Sequence, residues 1–72
     1  MQLPSKLFSY SQSTLALFPI IMTALEGQAM SAGELWQLVQ GSASLPDFLH
    51  AADALYALNK IDIDLEGRLY RC

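Results

Sequence analysis

One cysteine, one histidine and four basic residues are all that this 72-residue sequence offers to several kinds of chemistry. The lone cysteine is Cys72, so no disulfide can close within one chain, and this thiol usage suits an intracellular, cytoplasmic protein. His50 has no second His or Cys near it in sequence, which leaves no zinc-ligand set. The four cations (Lys6, Lys60, Arg68 and Arg71) face seven carboxylates, for a net charge of −3. That balance lacks the basic field on which phosphate-backbone binding depends. Glycine numbers only four, and no glycine-rich loop precedes a Lys-Ser/Thr pair, so no nucleotide cradle is expected. Long hydrophobic runs are missing too. Leu15 to Leu25 is interrupted by Pro19 and Thr23, and is far shorter than the about 20 apolar residues of a membrane span. A single Lys ahead of it and no small-x-small site behind it make a poor export signal.

What the sequence has is apolar side chain. Hydrophobic residues make up 53% and charged residues 15%, where ordinary domains carry about 25% charged. A chain this short hides only about 60% of its unfolded surface. Part of the apolar complement must therefore lie outside, and such surface marks a place for a partner.

The expected organisation is one domain over 1–72: an arm or edge strand over 1–12, three helices over 13–59 and a hairpin over 60–72. From Ser13 to Leu25, apolar residues cover most of a helix circumference, which predicts burial on several sides. Pro19 either kinks this helix or opens it late, and Gly27 supplies a left-handed stop. Ser31-Ala32-Gly33-Glu34 is a capping box for a second helix, with Leu35, Leu38 and Val39 on one stripe and Trp36 beside it. The approach Gln28-Ala29-Met30 is the place for a short first strand. Ser44 or Leu45 caps a third helix that carries Pro46 in its first turn and runs to about Asn59. Its expected inner face is Phe48, Leu49, Ala52, Leu55 and Tyr56. Ile61-Asp62-Ile63-Asp64-Leu65 then alternates with period two, and Glu66-Gly67 reads as a two-residue loop that sets Asp62 across from Arg71.

This order predicts an α+β, mainly α fold: a single winged helix-turn-helix domain. The outward residues expected on the third helix are Asp47, His50, Ala51, Asp53, Ala54, Ala57 and Leu58, with Asp64 and Glu66 at the hairpin tip. A helix that reads bases carries Arg, Lys, Asn or Gln instead. Asp62, Asp64 and Glu66 have the spacing of an acidic metal cluster, but the same spacing makes a solvated strand face. No nucleophile-and-base pair, metal set or phosphate loop emerges, so a protein that is not an enzyme and carries no cofactor is expected.

The run Gly33-Glu34-Leu35-Trp36, the segment Phe48-Leu49 through Leu55-Tyr56-Ala57-Leu58-Asn59-Lys60-Ile61, and the wing Glu66-Gly67-Arg68-Leu69-Tyr70 resemble the short middle components of three-component ABC-ATPase systems. Leu3-Pro4-Ser5-Lys6 and the apolar helix also fit, so the likeness spans nearly the whole chain. These bacterial systems, Lamassu-type anti-phage loci among them, pair a Rad50/SMC-like ATPase with an effector that is often a nuclease. The resemblance implies a non-catalytic adaptor lying between the two, and it brings no catalytic motif. The expected partner surface is the N-terminal arm (Leu7, Phe8, Tyr10) and an exposed side of the first helix (Leu17, Phe18, Ile21), with Trp36 and Tyr70 as aromatic anchors. The alternative is a small dimeric winged-helix DNA-binding regulator.

Overall fold

The computed structural model describes residues 11–72; the arm residues Leu7, Phe8 and Tyr10 lie outside that range. Helix α1 (Gln12–Ala24) opens at Ser11, whose Oγ accepts from the Thr14 amide at 3.1 Å and donates to the Thr14 hydroxyl at 3.0 Å. Thr14, Leu17, Ile21 and Leu25 are spaced by three, four and four residues, and all four are buried. They form one inner stripe, with Ala16, Pro19, Ile20 and Thr23 outside. One expectation is thereby corrected: Leu17 and Ile21 do not face solvent, since they are 2% and 0% exposed and belong to the chain's own core. Phe18 is partly buried against that core.

Pro19 sits inside α1 rather than in its first turn. It has no amide to bond the Leu15 carbonyl, but it lies on the solvent side, where water can replace the missing donor. The chain turns immediately after the helix. The Gln28 amide donates to the Leu25 carbonyl at 3.2 Å, and Gly27 takes φ +74°, a left-handed value that glycine adopts without steric cost.

Strand β1 (Met30–Ser31) follows, and Ser31 then caps α2 (Ala32–Val39). Both halves of the capping box form: the Glu34 amide donates to Ser31 Oγ at 3.1 Å, and the Ser31 amide donates to Glu34 Oε1 at 2.9 Å. Leu35 and Val39 are buried, whereas Leu38, expected on the same stripe, is exposed. A 3₁₀ turn (Gln40–Ser42) leads to Ser44, which caps α3 (Leu45–Ala57). Asn59 ends that region in the left-handed conformation at φ 64°.

The largest difference from expectation is the rotation of α3. Its inner face is Phe48, Ala51, Ala54 and Leu55. Ala54 is 1% exposed, while Leu49 and Tyr56, expected inside, are 53% and 50% exposed. Helix α1 is the main neighbour of α3, and small residues at 51 and 54 allow the close approach that leucine and tyrosine at 49 and 56 would prevent. Ala51 and Ala54 therefore leave the outward set.

Strands β2 (Ile61–Ile63) and β3 (Arg68–Arg71) complete an antiparallel sheet in the order β1-β3-β2. The register is one residue away from the expected one. Asp62 faces Tyr70 and Ile61 faces Arg71; Arg71 instead reaches Glu26 at 3.9 Å. The cause is Asp64. Its Oδ1 accepts from the amides of Glu66 (2.9 Å) and Arg68 (2.8 Å), while its carbonyl accepts from the Gly67 amide at 3.0 Å. Leu65-Glu66-Gly67 thus becomes a three-residue loop with Gly67 at φ +81°, the loop type that ends in a left-handed bulge.

The result is an α+β, mainly α architecture in which helix, strand, helix, helix, strand and strand follow in the order expected of a winged helix-turn-helix. One hydrophobic cluster joins the helices to the sheet through Leu17, Ile21, Phe48, Leu55, Ile61 and Leu69.

A candidate protein-docking groove

The rotation of α3 leaves a second apolar stripe facing outward. Leu49, Ala52, Asp53 and Tyr56 stand at i, i+3, i+4 and i+7, so they share one side of the helix. On the sheet, Ile61 and Ile63 point to one face because side chains alternate along a strand, and Leu69 lies opposite Ile63. The α3 stripe and this sheet face line a groove of about 370 Å³, to which Ala32 at the start of α2 also contributes. Leu49, Tyr56 and Ile63 are each about half exposed there. Leu65 is fully exposed at the hairpin tip.

Asp53 is the single charged residue lining the groove, and among the described residues it has no ion-pair partner. The two arginines among the described residues have acidic partners elsewhere. Arg68 reaches Asp64 at 3.0 Å and Glu66 at 3.4 Å, and Arg71 is held by Glu26. The Arg68 amide beside Asp64 holds its carboxyl below the ordinary value of 3.8; partial desolvation opposes this, and the Glu66 amide and Arg68 guanidinium reinforce it. On the other sheet face the Asp62 carboxylate, across the ladder from Tyr70, pushes the phenol above its ordinary 10.0. A second cleft of about 280 Å³ lies by Gln28, Met30, Glu34 and Gln37, where the Glu34 carboxylate is occupied by the capping box.

The sequence-predicted anchors are not brought together. Leu17 and Ile21 are core residues, and Trp36 is partly buried with its ring 5.3 Å from that of Phe48. Tyr70 is partly exposed on the sheet. Of the groove residues, the sequence pattern places Leu49 and Tyr56 on the inner face of the third helix and Asp53 among its outward residues, and it marks none of them as a docking residue. A signal existed, because α3 holds more apolar residues than one buried face can take. The three acids Asp62, Asp64 and Glu66 do not converge. Asp62 Oδ1 accepts from the Ile63 amide, and the other two are engaged with Arg68. Among the described residues no group of three His, Cys, Asp or Glu side chains is placed to hold a metal, and no helix is long and apolar enough to cross a membrane.

Fold and groove define a small helix-and-sheet domain whose accessible groove is apolar with one carboxylate, Asp53, in its lining. The chain belongs to the family described as ABC-three component (ABC-3C) system Middle Component 7, whose model matches residues 3–70. It is a middle component, and its partners are other components of an ABC system. No curated protein and no solved structure matches the chain.

Proposed function

We propose that this middle component is a non-catalytic adaptor in the cytoplasm that holds an SMC/Rad50-like ABC ATPase against an effector subunit, a nuclease, in bacterial anti-phage defence. The observation that carries the reading is the half-exposed apolar groove between α3 and the sheet on a chain of the middle-component family. Apolar surface of this kind is stabilised when a partner removes it from water, at about 25 cal/mol per Å² of apolar area before association costs. The charge distribution agrees: α3 contains two aspartates and neither lysine nor arginine, which favours a protein surface over a phosphate backbone.

The test is affinity capture of the N-terminally tagged chain, co-expressed with its neighbouring genes and read by native mass spectrometry. Recovery of an ABC ATPase and a second protein in fixed ratio is the expected result. Recovery of this chain alone, as a stable dimer that binds DNA with salt dependence, overturns the adaptor reading. Deleting the gene from an otherwise intact locus should abolish phage protection, and undiminished protection refutes the defence role.

A further inference from the structure

Building on the adaptor reading, we infer that the groove is filled by an amphipathic helix of another component, with apolar side chains seated among Leu49, Tyr56 and Ile63 and an arginine or lysine opposite Asp53.

The free edge of the sheet argues for a helix over an added strand. The Asp64 amide donates to the Arg68 carbonyl at 2.9 Å, and the Cys72 amide donates to the Lys60 carbonyl at 3.1 Å. Backbone groups alternate in direction along an antiparallel pair, so the amides of Ile61 and Ile63 point away from β3. The Ile63 amide is already taken by Asp62 Oδ1 at 2.7 Å. A three-residue edge with one of its two outward amides blocked is a poor template for strand addition. By contrast, the α3 stripe has the spacing against which a second helix packs, and Ala52 at its middle allows close approach.

Charge then selects the kind of helix. Asp53 is the groove's one charge, it has no cation among the described residues, and the whole chain carries −3. A second copy of this chain would set like charge against like charge, whereas a basic residue on the incoming helix would supply the missing partner.

The experiment uses the full chain co-expressed with its neighbouring genes. A benzophenone cross-linker replaces Leu49 in one variant, and Asp53→Asn and Asp53→Arg are made separately. Asp53 is exposed and Leu49 is about half exposed, so the Asp53 variants should melt as the wild type does and the Leu49 variant within about 5 °C of it. Cross-linking is expected to land on another component, in a segment with apolar residues three and four apart and a flanking Lys or Arg. Asp53→Arg should lower recovery of that component by about tenfold or more, and Asp53→Asn by less. Cross-links confined to a second copy or to this chain's own residues, or unchanged recovery with Asp53→Arg, overturn the inference. If the wild type captures no other component, the adaptor reading itself fails. If it captures them but cross-links elsewhere, only the groove assignment does.

Discussion

Ala54 and Leu49 lie on opposite sides of α3, so enlarging the first and truncating the second tests the rotation of that helix directly. Ala54 is 1% exposed, and Ala54→Leu adds an isopropyl group where there is no room for it. Overpacking of this kind costs about 1–3 kcal/mol. Leu49 is 53% exposed, and full burial of a leucine is worth about 1.5–3 kcal/mol. Half of that is roughly 1 kcal/mol, and the better helix propensity of alanine offsets a few tenths of it. In a domain of this length each kcal/mol moves the melting temperature by about 4–8 °C. Ala54→Leu should therefore lower Tm by roughly 12 °C at the middle of its range, and Leu49→Ala by only about 5 °C or less. Thermal melts followed by far-ultraviolet circular dichroism measure both. A large loss for Leu49→Ala together with a neutral Ala54→Leu would restore the sequence-derived face and remove the groove.

Ser31→Ala deletes the hydroxyl half of the α2 capping box and should cost about 1 kcal/mol in urea denaturation; an unchanged midpoint would show that the box contributes nothing. Asp64 has a folded-state pKa below 3.8. Its stabilising contribution is therefore complete above the unfolded value and disappears as pH falls through the lower, folded one. The amide resonances of Glu66 and Arg68 should move in that acid window, and Asp64→Asn should flatten the response. Asp62→Asn should bring the Tyr70 phenol back toward 10.0 in an ultraviolet absorbance titration, and a Tyr70 that does not respond would contradict the Asp62–Tyr70 pairing.

The elements most legible from sequence were those decided by neighbouring residues. Ser31 and Glu34 meet through a bond pattern that spans one helical turn, and Ser44 with Pro46 marks the start of α3 in the same local way. The order of helices and strands followed from such signals, and the middle-component resemblance agrees with the family match over residues 3–70. What escaped depended on contacts between distant segments. The α3 sequence has apolar residues around much of its circumference, and only the arrival of α1 decides that Ala51 and Ala54 go inward while Leu49 and Tyr56 stay out. The hairpin register turned on one side chain, since Asp64 gathers two amides and lengthens the loop by a residue. The groove inherits both effects. Its helical wall comes from the rotation, and its sheet wall from the register that sets Leu69 opposite Ile63.

Trp36 is the chain's one tryptophan, and its ring contact with Phe48 ties α2 to α3. When it is excited selectively at the red edge of indole absorption, where tyrosine does not contribute, its emission reports on the contact between those two helices. Opening of the hairpin alone should leave this tryptophan emission unchanged while it registers in amide exchange. Local release of the wing and global loss of the helical core thus have different spectroscopic signatures in the unlabelled protein.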